Sequence, residues 1–168
     1  IVAPTAVAAY IIKGKTIDSA LKFGGDSRGY NYKPLAGGSA STLAFQYDDV
    51  CVISIDEISM VGSKKHATMN YRLQEIGESS KKNDYFAGIP SIAVGDFHQL
   101  SPPMDKWIFD KTKLDGRPSV APSLWLENYK IYFLTKKMRC PDDIAFAMLC
   151  DRVGEGPFDI TNEDKQFF

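Results

Sequence analysis

Two acidic residues, Asp56 and Glu57, stand side by side straight after an apolar run in VISIDEISM, residues 52–60. An unpaired buried carboxylate costs several kcal/mol, so adjacent acids at a strand end belong at an edge or against a cation. A second apolar run, in GIPSIAVGD, ends in the same way at Asp96, and Gln99 follows it. In open α/β sheets, ligands bind outside the carboxyl ends of the strands. Acids on that rim can hold magnesium against phosphates, and a second acid can orient and polarise an attacking water. A neutral amide such as Gln99 can hydrogen-bond a phosphate or that water without adding charge. Arg139, in FLTKKMRCPDD, lies between a third apolar run and a helix start. A guanidinium there could reach a phosphate bidentately. Each feature alone has a plainer reading. Asp56 could cap a helix with Glu57 solvated, and Gln99 could be an ordinary loop residue. Arg139 could pair with Asp142 or Asp143 in a surface ion pair of little worth.

The elements that must position these residues follow from pattern. IVAPTAVAAYII starts as a short strand and turns at Pro4-Thr5, with Thr5 the N-cap of a helix through Ile12. Thr16 caps a second short helix in TIDSALKF, and the glycine-rich stretch Gly24–Ser41 reads as a long mobile loop. Leu43 to Tyr47 reads as a helix end before a strand over Val50–Ile55. Met69, Leu73 and Ile76 are at helical spacing, with Gly77 as the C-cap. GIPSIAVGD reads as a second buried strand and KIYFLT as a third, with Met104–Pro122 a surface excursion between them. PDDIAFAMLCDRVGEG reads as a helix with Pro141 at its first position. Strand–helix alternation of this kind predicts an α/β fold, a parallel sheet with helices on both faces.

The totals bound the rest. The 168 residues are 44% hydrophobic, enough for one domain with a substantial core. The apolar runs are too short to cross a membrane. A net charge of −1 gives no bulk case for nucleic acid, so any such contact must rest on local placement. Cys51, Cys140 and Cys150 share no metal-type spacing and read as reduced residues of an intracellular protein. Cys51 and Cys150 are expected in the core. His66 and His98 are too few for a transition-metal site, and a loop role is expected for His98 beside Gln99. Arg28, Tyr30, Tyr32 and Lys33 in the glycine-rich stretch mix cations with aromatics that could touch a nucleic-acid strand, or simply connect elements. The chain begins at Ile1 without an initiator Met, which suggests a piece of something longer.

Taken in order, VAPTAVAA, GKTIDSAL, VISIDEISMVGS, IAVGDFHQLSPP and FLTKKMRC with FAMLCDRVGEG resemble successive motifs of the PIF-type (petite integration frequency) DNA helicases of superfamily one. The resemblance implies a RecA-like fold and a partial first motor domain over residues 1–157, with 158–168 a tail toward an absent second motor domain. It implies Asp56 as the magnesium ligand, Glu57 as activator of the hydrolytic water, Gln99 as γ-phosphate sensor and Arg139 as arginine finger. The cofactors would be ATP and Mg2+. Pro4, Thr5 and Ala6 match the segment that touches single-stranded DNA, where a helix N-terminus suits a phosphate. Thr16 and Ser19 would lie near the same strand. The implied activity is 5′–3′ translocation with unwinding of forked or structured DNA, by a monomer, in replication, repair or recombination. The implied location is nucleus or mitochondrion in a eukaryote, cytoplasm otherwise.

Three departures stand out. The family pattern has His where Asp18 stands, Gln where Cys140 stands, and a G-x-x-x-x-G-K-[ST] loop that these residues lack. That phosphate loop would lie upstream of Ile1, so the chain alone is not expected to hydrolyse ATP. The alternative is a non-catalytic, truncated helicase-like module that binds DNA or a partner. A small-molecule kinase would explain the strand-end acids but not GDFHQL or the APT segment.

Overall fold

A computed structural model describes residues 1–24, 32–111, 121–136, 138 and 144–156. Its frame is a parallel sheet of β1 (Val2–Ala3), β2 (Lys15–Thr16), β3 (Ile53–Ile55) and β4 (Ser91–Ala93), in the order β2-β1-β3-β4. The register pairs Val2 with Ile55, Ala3 with Thr16, and Ile55 with Ala93, so neighbouring strands end level with one another. Parallel neighbours need crossover connections, and helices supply them. They are α1 (Ala6–Ile11), α2 (Ile17–Ala20), α3 (Gly37–Tyr47) and α4 (Ser63–Ile76), followed by α5 (Ala121–Asn128) and α6 (Ile144–Glu155). The chain divides into two units, Ile1–Tyr129 and Lys130–Phe168, and α6 lies in the second.

Local chemistry explains the helix starts. Thr5 and Thr16 accept hydrogen bonds from Ala8 N and Ser19 N, each at 3.2 Å, as N-caps do. α4 is capped from a distance: Asp105 Oδ2 accepts from Lys64 N at 3.0 Å and Lys65 N at 3.2 Å. Gly62, at the cap position of α4, has no side chain because a Cβ there would overlap the Asp105 carboxylate. The core packs Ile17, Leu21, Ile55, Val61, Met69, Leu73, Ile108 and Leu124 against the sheet and α4. Each fully buried aliphatic side chain contributes about 1.5–3 kcal/mol.

Several expectations change. α3 starts at Gly37, so the end of the expected loop is helical, and residues 25–31, with Arg28 and Tyr30, lie outside the described residues. Leu35 N and Tyr32 Oη donate to the Glu75 carboxylate at 2.7 and 2.8 Å, and Arg72 donates to Lys33 O at 3.0 Å. That segment is fastened to α4 by an Arg72–Glu75 ion pair rather than left loose. β3 is shorter than Val50–Ile55, and Cys51 and Val52 before it are exposed; Cys150 on α6 is exposed as well. β4 is not doubly buried: it ends the sheet among the described residues, and Ile92 and the following Val94 are about half exposed. KIYFLT is not in a strand: a parallel strand exists only through bonds to a neighbour, and among the described residues these six make no such pairing. The Met104–Pro122 excursion is partly core, since Ile108 is fully buried. Pro141, Asp142 and Asp143 lie outside the described residues.

Candidate nucleotide and DNA site

β3 is flanked by β1 and β4, and its exit is tied to both. Asp56 N donates to Val2 O at 2.9 Å, and Ile58 N donates to Val94 O at 3.0 Å. Glu57 between them adopts left-handed backbone (φ 50°, ψ 50°), a conformation that costs a non-glycine residue about 1–2 kcal/mol. A turn of 3-10 helix over Ile58–Met60 follows, with Ile58 and Ser59 buried. Non-glycine strain of this kind gathers at functional sites, where the surroundings over-determine it. Both carboxylates are half-buried, and neither makes an ion pair among the described residues.

β4 brings the second turn against the first through Gly95. A Cβ there would lie 2.7 Å from Ile58 N and 3.4 Å from the Glu57 carbonyl carbon. The absent side chain is what lets the two strand ends touch. Asp96 then closes a turn: Gln99 N donates to Asp96 O at 3.1 Å and His98 N to Asp96 Oδ1 at 2.9 Å. His98 Nδ1 also lies 3.2 Å from that oxygen. The Asp96 carboxylate is thus committed to its own turn, and the rim's uncommitted acids are Asp56 and Glu57. Gln99 is exposed at the end of the turn. Arg139 and Cys140 lie outside the described residues.

Among the described residues no group of three or more His, Cys, Asp or Glu side chains could hold a metal. Two adjacent half-buried carboxylates fit magnesium, which binds through one or two carboxylates, waters and the phosphates of its nucleotide.

The DNA-contact candidates share the same rim. Pro4, Thr5 and Ala6 follow β1, while Thr16 ends the adjacent β2 and Ser19 lies on α2 after it, and Ala3 is in register with Thr16. Ala6 and Ser19 are exposed and the other three half-buried. The Thr5 and Thr16 hydroxyls are both engaged as caps. Asp18 carries a compensating charge, since Lys65 Nζ on α4 lies 2.8 Å from its carboxylate. The lysine side chain is 7% exposed and the aspartate 44%, so the pair faces outward from the acid side only.

Behind these turns lies a histidine with no place in the expected site. His66 is fully buried on α4, its ring within 6.4 Å of those of Phe86, Trp125 and Tyr129. Ser91 on β4 donates to the Tyr129 oxygen at 2.7 Å, and Tyr129 Oη lies 3.3 Å from His66 Nε2. Burial lowers the His66 pKa to about 3, so the ring is neutral, and burial raises that of Tyr129. Sequence reasoning also passed over Asp105, Lys65 and the aromatic residues Trp107, Phe109 and Trp125, and it placed Gly95 at a strand end without its contact to Ile58. The alternation of Trp107 and Phe109 in DKWIFD was the one available signal.

A family model described as PIF1-like helicase matches residues 1–164. The chain is 33% identical over 162 residues to the ATP-dependent DNA helicase PIF1 of Candida albicans, covering 93% of this chain and 17% of that protein. A crystal structure of Bacteroides Pif1 bound to single-stranded DNA is similar in fold, with a TM-score of 0.73 and 21% identity. The match covers 99% of this chain and 38% of the Bacteroides chain. A structure of Bacteroides Pif1 in complex with ADP-AlF3 and single-stranded DNA has a TM-score of 0.70 at 22% identity, over 97% of this chain and 37% of that one. The crystal structure of Pif1 helicase from Candida albicans has a TM-score of 0.71 at 21% identity, over all of this chain and 35% of that one. The chain thus spans well under half the length of these relatives. With the family model matched almost end to end, the chain belongs to the PIF1-like helicase family.

Proposed function

We propose that residues 1–157 are most of the first motor domain of an ATP-dependent 5′–3′ DNA helicase, with 158–168 leading toward a second motor domain. The observation that carries this is the contact between the Asp56-Glu57 turn and the Gly95–Gln99 turn on one rim of a parallel sheet. In this reading Asp56 holds magnesium and Glu57 accepts a proton from the attacking water, a role worth about 10²–10⁴-fold in rate. Gln99 hydrogen-bonds the terminal phosphate, and Arg139 compensates its charge. Bound magnesium would supply positive charge to the phosphate oxygens. Phosphoryl transfer needs positioning and charge compensation more than covalent help, and the backbone ties of the acid turn suit that need.

The neighbouring segments Pro4–Ala6 and Thr16–Ser19 contact the backbone of single-stranded DNA, and forked or structured DNA is the working substrate of the monomer. Relatives solved with single-stranded DNA and at forked duplex DNA support this partner class.

The test is unwinding by the whole protein that contains these residues, on duplexes with a 5′ or a 3′ single-stranded tail. ATP-dependent opening of the 5′-tailed duplex alone is expected. Salt-sensitive DNA binding with no ATP turnover would favour the non-catalytic module instead.

A further inference from the structure

We propose that Phe97 is a positioning residue: gripped by Trp107, Phe109 and Trp125, its ring fixes the turn that presents Gln99 and so sets the rate of hydrolysis without adding to nucleotide affinity. The inference rests on the reading of Gln99 given under Proposed function.

The Gln99 turn is joined to the acid turn at its start, where Ile58 N donates to Val94 O and Gly95 lies against Ile58; beyond Gly95 its hold is different. It follows a strand that ends the sheet among the described residues, and Asp96, His98 and Gln99 are all exposed. Their hydrogen bonds are local to the turn and give it shape rather than place. Of the turn residues Asp96–Gln99, Phe97 is the apolar one, and its ring packs on three others. Its ring centroid lies 5.9 Å from Trp107, 5.8 Å from Phe109 and 5.8 Å from Trp125, with interplanar angles of 64°, 62° and 78°. These are the edge-to-face arrangements that aromatic quadrupoles favour. Trp107 and Phe109 stack on each other at 5.9 Å and 6°, forming one wall.

The cage is anchored to the same ground as the acid turn. Ile108, between Trp107 and Phe109, is fully buried in the core. Asp105, just before them, caps α4, the helix that leaves the acid turn. Trp125 is buried on α5 and packs 4.6 Å from Tyr129 and 6.4 Å from His66. Phe97 itself is 37% exposed, which marks it as a clamp at the surface rather than a core residue. Its removal should therefore loosen the turn without unfolding the domain.

The experiment compares wild type, Phe97→Ala and Phe97→Tyr in the whole protein, measuring DNA-stimulated ATP turnover and melting temperature. Misplacing a catalytic group by about 1 Å can cost on the order of 10²-fold. Phe97→Ala is expected to lower kcat by about 10- to 100-fold while KM for ATP stays within about twofold. Phe97→Tyr is expected to restore most of the rate, and neither variant to shift the melting temperature by more than a few degrees. Equal kcat in wild type and Phe97→Ala would overturn the inference alone. So would a rate loss that tracks a fall in melting temperature and that tyrosine does not restore. A wild-type protein without ATP turnover would remove the functional reading, and this inference with it.

Discussion

The turns after β3 and β4 leave neighbouring strands in the same direction, yet different forces hold them. β3 is central, so its exit takes a hydrogen bond to β1 through Asp56 N and one to β4 through Ile58 N. Buried Ile58 and Val61 then lock the acid turn to the core. Among the described residues β4 ends the sheet, with a neighbour on one side only. Its turn makes its own local bonds and is held in place by the Phe97 ring among Trp107, Phe109 and Trp125. The acid turn takes backbone bonds to both neighbouring strands, whereas the Gln99 turn shares one of them and adds the Phe97 ring contacts. The two meet where Gly95 lies against Ile58 N.

The largest effect should come from the acid turn. Glu57→Gln in the whole protein is expected to cut ATP turnover by about 10²–10⁴-fold with single-stranded DNA binding retained. A loss smaller than tenfold, measured by steady-state ATPase assay, would put the base elsewhere. Next comes the contact between the turns. Gly95→Ala forces a Cβ against Ile58 N, and overpacking of this kind costs about 1–3 kcal/mol. Gly24→Ala, with open space around it, should stay within about 0.5 kcal/mol. Denaturant unfolding of the two variants would show whether the turns really touch.

His66 supports both turns, through α4 and through Trp125, and its effect depends on pH. Its pKa is about 3 when folded, against 6.5 for the exposed ring. Above pH 6.5 both states are neutral. Below it the unfolded chain takes up a proton that the folded chain refuses, so stability falls as the pH drops from 6.5 toward 3. The expected slope is about 1 kcal/mol per pH unit, flattened in His66→Gln. Denaturation midpoints at pH 7, 6 and 5 check it, and parallel slopes in the two proteins would refute it. The smallest effect concerns the DNA side. Lys65→Met leaves the Asp18 carboxylate uncompensated and should weaken single-stranded DNA binding a few-fold at low salt. Adding Asp18→Asn should restore it, and fluorescence titration of the single and double variants reads the difference.

Much of this was legible in the sequence, for physical reasons that differ by element. Thr5 and Thr16 announce their helices because capping is a local hydrogen bond, three residues in reach. The acids at 56–57 announce themselves because unpaired carboxylates rarely end a buried strand. The Asp105 cap of α4 was not legible, since its partners lie 40 and 41 residues away in the chain. Nor was α5, whose eight residues are too short for a clear helical period. KIYFLT has the composition of a strand, but composition cannot name a pairing partner. Gly95 was legible as part of a strand end on the rim, but the backbone that lies against it was not.

The central claim, that the two turns build a magnesium–nucleotide site, is tested most directly by DNA-stimulated, magnesium-dependent ATP hydrolysis in the whole protein, wild type beside Asp56→Asn. Turnover in the wild type and at least a hundredfold loss in the variant, on the order expected for removing charge stabilisation, is the predicted result. Wild-type turnover in Asp56→Asn would contradict it.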